Sequence, residues 1–158
     1  MLDWIIERTN KYIYGMSKKE RKKYGQFFTS KETAHFMAGL FTIPENLSKV
    51  RILDAGAGSG ILSCALLERL ERMSSVQTIE LTCYENDDNI LGLLRENLYM
   101  YQTNSKKNIR INIITDNYAF YIRTKLMDTD KTILKTGVYT LNTSMDYETI
   151  INMLTFKE

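Results

Sequence analysis

The stretch "VRILDAGAGSGILSC", residues 50–64, sets one aspartate, Asp54, just ahead of three alternating glycines at 56, 58 and 60. Glycines so spaced after an apolar run let the chain turn sharply and leave main-chain N–H groups open to a ligand, with no Cβ in the way. The spacing is GxGxG, whereas a dinucleotide fingerprint reads GxGxxG. The aspartate also argues against a pyrophosphate, which a carboxylate repels; it attracts an ammonium or a sulfonium instead. This turn therefore suits a cationic, amino-acid-bearing group. A glycine-rich connector without a ligand is the competing reading.

Two further acids close later apolar runs: Glu85 in "LTCYEND" and Asp116 in "INIITDN". At the end of a second strand a carboxylate can accept both hydroxyls of a ribose. At the end of a third, it can accept a hydrogen bond from an adenine exocyclic amine. For both acids the competing role is a helix cap. Taken together, the three acids predict a site for S-adenosylmethionine, with Asp54 and the glycines Gly56, Gly58 and Gly60 at the methionine end, Glu85 at the ribose and Asp116 at the adenine. Ala55 and Asn86, next to these acids, are counted among the cofactor-binding residues.

The elements that must position these residues follow from periodicity. "VRILDAG" reads as a buried parallel strand running into the turn. "SGILSCALLERLERM" reads as an amphipathic helix with Ile61, Leu62, Ala65, Leu66 and Leu70 on one face. "TIELTCYE" is a second strand, "NDDNILGLLRENLYMYQ" a helix capped by Asn86 or Asp87, and "NIRINIIT" a third strand. Residues 50–115 thus alternate β-α-β-α-β, the pattern of a parallel sheet covered by helices. Ahead of it, residues 2–15 place Leu2, Ile5, Ile6, Tyr12 and Ile13 at helical spacing, with Gly15 as a stop. Ser30 and Glu32 open a second helix with Ala34, Met37, Ala38 and Phe41 inward. After Asp116 the pattern degrades, and "DYETIINML" fits a strand or a helix equally.

The chain of 158 residues, 44% hydrophobic and 25% charged, is the size of one globular domain. Its net charge of +2 argues for no particular partner. The basic run "KKERKK", Lys18 to Lys23, reads first as a solvated face and second as a phosphate-contacting patch. Cys64 and Cys83 lack CxxC spacing and predict buried thiols in a reducing compartment. The single histidine, His35, has no partner at metal spacing, so no metal site is expected. No signal peptide and no membrane-spanning run is visible, which predicts a cytoplasmic protein.

The segment "KYGQFFTSKETAHFM", residues 23–37, adds a resemblance to these readings. With the glycine turn downstream, it resembles the adenine-N6 DNA methyltransferases of restriction–modification systems, which carry a "YGQFFTP" type segment before a "D-x-G-x-G-x-G" turn. Tyr24, Gly25, Gln26, Phe27, Phe28 and Thr29 match, and Ser30 replaces the proline. The resemblance covers roughly residues 20–120. It implies a Rossmann-like α/β methyltransferase fold, here with an incomplete parallel sheet. Residues 1–45 would form an N-terminal helical segment and 46–158 a partial α/β domain, packed as one structural domain. It also implies that Tyr24 and Phe28 help enclose S-adenosylmethionine and that Thr29 bonds its carboxylate.

In that family an Asn/Asp-Pro-Pro-Tyr/Phe turn holds the target adenine, flipped out of DNA. This sequence has one proline, Pro44, upstream of the glycine turn. The nearest positional match is "INMLTFK", where Asn152 takes the asparagine place without the two prolines that preset the turn. The expectation is therefore a cofactor-binding part of a DNA methyltransferase, inactive alone, with DNA met through the complete enzyme. A complementing methyltransferase fragment or a restriction subunit is the expected partner. Two alternatives stay open: a degenerate regulatory module, and a methyltransferase acting on protein or a small molecule.

Overall fold

A computed structural model describes residues 1–17 and 29–116. Three strands, β1 (Lys49–Asp54), β2 (Thr78–Tyr84) and β3 (Asn108–Ile114), form a parallel sheet in the order β1-β2-β3. Lys49 pairs with Thr78 and Thr78 with Asn108, and the register runs through to Asp54, Cys83 and Ile113. All three strands therefore end at one edge, and that edge carries the candidate acids. The β-α-β-α-β expectation holds across this region.

Successive strand side chains point to opposite faces, so each strand sorts its residues by alternation. Val50, Ile52, Ile79, Leu81, Cys83 and Ile109 are buried on one face. The other face carries Arg51, Glu80 and Arg110 side by side in register. The expectation that β1 is buried throughout is corrected here, because Lys49 and Arg51 are exposed. "VRIL" is apolar at every second position on the face that matters, and the arginine between belongs to the polar side.

Four helices complete the described chain: α1 (Leu2–Tyr14), α2 (Lys31–Gly39), α3 (Ile61–Glu71) and α4 (Asp88–Asn104). The β1-α3-β2 and β2-α4-β3 crossovers step the same way along the sheet. Right-handed connections then set α3 and α4 on the same face, and their leucines share one core with β1 and β2. Gly15 closes α1 as expected. The Ser30 hydroxyl caps α2 by accepting from Thr33 N at 3.2 Å. Asp87 rather than Asn86 caps α4, its carboxylate accepting from Asn89 N at 3.0 Å.

Two burial expectations are also corrected. Helix α3 is not one-sided: Ile61, Cys64 and Leu67 are buried along with Ala65, Leu66 and Leu70, because α1 and α2 pack over the side that the sheet leaves open. Met37 points outward while Ala34 and Ala38 carry the α2 contact; a nine-residue helix needs only its small-residue stripe to approach α3 closely. His35 Nε2 pairs with Glu68 Oε2 at 2.8 Å, which joins α2 to α3. Arg69 donates to the Phe41 carbonyl at 2.7 Å and tethers the loop after α2. Tyr12 OH donates to Asn89 O at 2.6 Å, tying α1 to α4.

Candidate functional site

The glycine turn owes its shape to two residues with positive φ, Gly58 at 54° and Gly60 at 83°, a region that L side chains avoid. The glycines divide the work. A Cβ on Gly60 would sit 2.9 Å from Leu94 Cδ1, so this glycine lets α4 close against the start of α3. A Cβ on Gly56 or Gly58 would meet nothing within 4 Å. Those two glycines border open space at the carboxyl edge of the sheet, where ligands bind in folds of this kind.

The turn is fastened from three sides. Ala57 N donates to Tyr84 O at 3.0 Å, tying it to the end of β2. Asn97 Nδ2, from the buried face of α4, donates to Ser59 O at 2.9 Å. Gly58 N donates to Glu85 Oε2 at 2.7 Å, and the other oxygen of that carboxylate accepts from Asp87 N at 2.9 Å. Glu85 thus bridges the turns after β1 and β2. Two amides fix its orientation, and a carboxylate with about four lone-pair sites keeps acceptor capacity for a diol. The helix-cap alternative for Glu85 captures only one of these two bonds.

Asp54 faces inward at the base of the turn. Ser63 Oγ donates to Asp54 Oδ2 at 2.6 Å, and the Gly56 backbone N–H bonds the same carboxyl. Desolvation pushes this carboxyl above its ordinary range, against the lowering effect of the Ser63 and Gly56 bonds; the charge on Glu85 raises it further. Among the described residues no cation contributes to its environment. Burial likewise raises the Cys83 thiol to about 12 and the Cys64 thiol further, so both behave as inert core groups. Among the described residues no His, Cys, Asp and Glu group could hold a metal ion.

The structure brings together Asp54, Gly56, Gly58, Gly60 and Glu85. Ala55 and Asn86 are exposed in the loops beside the two acids, and Asp116 is exposed two residues past β3 at the same edge. Thr29 directly precedes the Ser30 cap of α2. Tyr24, Phe28 and Asn152, with the "KKERKK" run, lie outside the described residues. Sequence reasoning missed Ser63 and Asn97. Asn97 had a signal, since it falls on the stripe of Ile90, Leu94 and Leu98, where a polar residue needs a partner. Ser63 had none.

A three-stranded parallel sheet with helices packed on it and a glycine turn at its carboxyl edge defines a Rossmann-like α/β domain. Comparison with known proteins gives the particular family: residues 9–133 match the family model of the N-6 DNA methylases, and the chain belongs to that family. It is 34% identical over 119 residues to the type II methyltransferase M.BsuBI of Bacillus subtilis, covering 74% of this chain and 23% of that protein. With M.PstI of Providencia stuartii it shares 38% identity over 85 residues, covering 54% of this chain and 16% of the relative. The chain thus spans about a quarter or less of these relatives' length. A Listeria monocytogenes protein described as a class I S-adenosylmethionine-dependent methyltransferase aligns with TM-score 0.43 and 14% identity, over 62% of this chain and 30% of that one. No helix among the described residues is long and apolar enough to cross a membrane.

Proposed function

We propose that this chain binds S-adenosylmethionine and forms the cofactor-binding part of an adenine-N6 DNA methyltransferase. The observation that carries the reading is the pairing of two carboxylates with a glycine turn whose Gly56 and Gly58 border open space. Membership of the N-6 DNA methylase family and likeness to two type II methyltransferases support it.

The residues fit the ligand by their donor and acceptor chemistry. Asp54, which has no cationic partner among the described residues, offers negative charge to the methionine end; Ala55, Gly56 and Gly58 leave the backbone approachable. Glu85 accepts from the ribose hydroxyls with the lone pairs its two amide donors leave free, beside Asn86. Asp116 accepts from the adenine amine at the end of β3. Tyr24 and Phe28 enclose the cofactor, and Thr29 donates to its carboxylate. When bound, the cofactor supplies a methyl group already activated by the sulfonium. Everything the described residues contribute is binding and orientation.

Transfer to a flipped adenine needs a target-base turn of the Asn-Pro-Pro-Tyr kind, which residues 1–158 do not spell. Methylation of DNA is therefore assigned to the complete enzyme, with a complementing segment supplying that turn. Calorimetric titration tests the binding role directly. The expected result is S-adenosylmethionine and S-adenosylhomocysteine bound by the wild type and lost on Asp54→Ala or Glu85→Ala, with no methyl transfer to DNA by the chain alone. A folded wild type that binds neither compound would overturn the reading.

A further inference from the structure

We infer that Ser63 is a positioning residue for Asp54: its buried hydroxyl fixes the orientation in which that carboxylate meets a cationic ligand group at the glycine turn. The inference rests on reading the turn as a cofactor site. It goes beyond that reading by assigning a role to a helix residue outside the turn.

Three observations carry it. Ser63 is on the first turn of α3 and only 2% exposed, so no bulk water can replace its hydroxyl. The 2.6 Å separation from Asp54 Oδ2 is in the short range of a hydroxyl bonded to an ionised carboxylate. The second hold on the carboxyl is the Gly56 N–H, from the turn side. Two donors restrict rotation about the Cβ–Cγ bond more than one donor does. Without Ser63, Asp54 keeps a single hold and loses one of the two bonds that favour its charged form.

Among the described residues, the groups facing this carboxyl are few. Glu85 approaches from the loop after β2 and opposes its charge. The Cys83 thiol of β2, 3.8 Å from Ser63 Oγ, and the Cys64 thiol of α3 are both held neutral by burial. Among the described residues Glu85 is therefore the one charged neighbour at neutral pH, and removing the Ser63 bond leaves desolvation opposed by the Gly56 N–H.

The test is a carbon-13 NMR titration of aspartate-labelled protein, with Asp54 assigned through Asp54→Asn, followed by calorimetry with S-adenosylmethionine. In Ser63→Ala the Asp54 midpoint should rise by about one pH unit over the wild type, the size of one lost hydrogen bond to a charged group. Ser63→Thr, which keeps the hydroxyl, should restore it. Cofactor affinity should fall about tenfold at pH 7 in the alanine variant, with part of that loss recovered as rising pH ionises Asp54. Ser63→Cys, close in shape and a poor donor, serves the same purpose should the alanine variant be unstable. An unchanged Asp54 midpoint in both variants, with only a lower melting temperature, would overturn the inference and leave Ser63 a packing residue. The titration needs no ligand. A wild type that fails to bind the cofactor therefore counts against the proposed function, while the midpoint still decides the Ser63 hold.

Discussion

Asp54 ends β1 and Glu80 sits in the middle of β2, two carboxylates on neighbouring strands whose surroundings drive them in opposite directions. Asp54 is held by a hydroxyl and a backbone amide, with desolvation as its largest influence and no cation near it among the described residues, and its carboxyl is pushed up. Glu80 lies on the open polar face, with Lys49 Nζ at 2.6 Å, Arg51 Nε at 2.9 Å and Arg110 Nη1 at 3.5 Å. Those partners, the Lys49 bond first, hold it below the usual carboxylate range. Among the described residues, one acid has three cationic partners and the other has none. A desolvated carboxylate with no counter-ion among the described residues keeps a standing electrostatic demand there, which the proposed cationic ligand would meet. The Glu80 ladder makes no such demand, because its charge is already answered within the sheet.

The largest expected effect breaks the backbone that separates these two environments. Gly60→Val should cost about 2–4 kcal/mol, the sum of left-handed strain and overpacking. Its Cβ would enter the space of Leu94 at φ 83°. Urea denaturation should show the loss, and cofactor binding should go with it. Stability unchanged within about 0.5 kcal/mol would mean that the turn has another conformation available.

Glu85→Ala should come next. It strands Gly58 N and Asp87 N, which a half-buried carboxylate now satisfies, at about 1–2 kcal/mol of stability. Ligand affinity should suffer more than stability, since the diol loses its acceptor. Glu85→Gln keeps one carbonyl acceptor and should fall between. If stability and affinity fell in proportion across both variants, Glu85 would be a brace between two loops and nothing more.

The difference between the two acids was only half legible in the sequence. Asp54, the glycines and Glu85 stood out because a strand-turn-helix pattern fixes where a β1 or β2 end must lie, and periodicity over six or seven residues reports that reliably. Asp116 followed from the same logic. What periodicity could not give is which residue answers which charge. Ser63 meets Asp54 from nine positions away and Asn97 meets Ser59 from 38 away, and neither separation is periodic. The burial of α3 on both sides also escaped, since a helix reads as one-sided until the segment that covers its second face is known. Met37 failed for the complementary reason: apolar and correctly spaced, it found the α2 contact already filled by two alanines.

Glu80→Gln should have the smallest effect, and its character matters more than its size. Glu80 belongs to an exposed ladder with side chains 44%, 49% and 70% exposed on Lys49, Arg51 and Arg110, so solvent and salt screen each pair. Because its folded pKa is depressed, its contribution should be complete above the ordinary glutamate value of 4.5 and fade as pH falls through the folded value. Asp54 has the reverse sign: its raised pKa makes the charged form a burden, so its contribution to stability declines as pH rises above the ordinary aspartate value. Thermal melts of Glu80→Gln and Asp54→Asn against the wild type, from pH 3 to 7, should therefore diverge in opposite directions. Raising the salt should flatten the first difference and leave the second, because an ion pair in solvent is screened and a desolvated carboxyl is not. If both differences had the same sign, Asp54 would have a cationic partner of its own, and its demand for a cationic ligand would disappear with it.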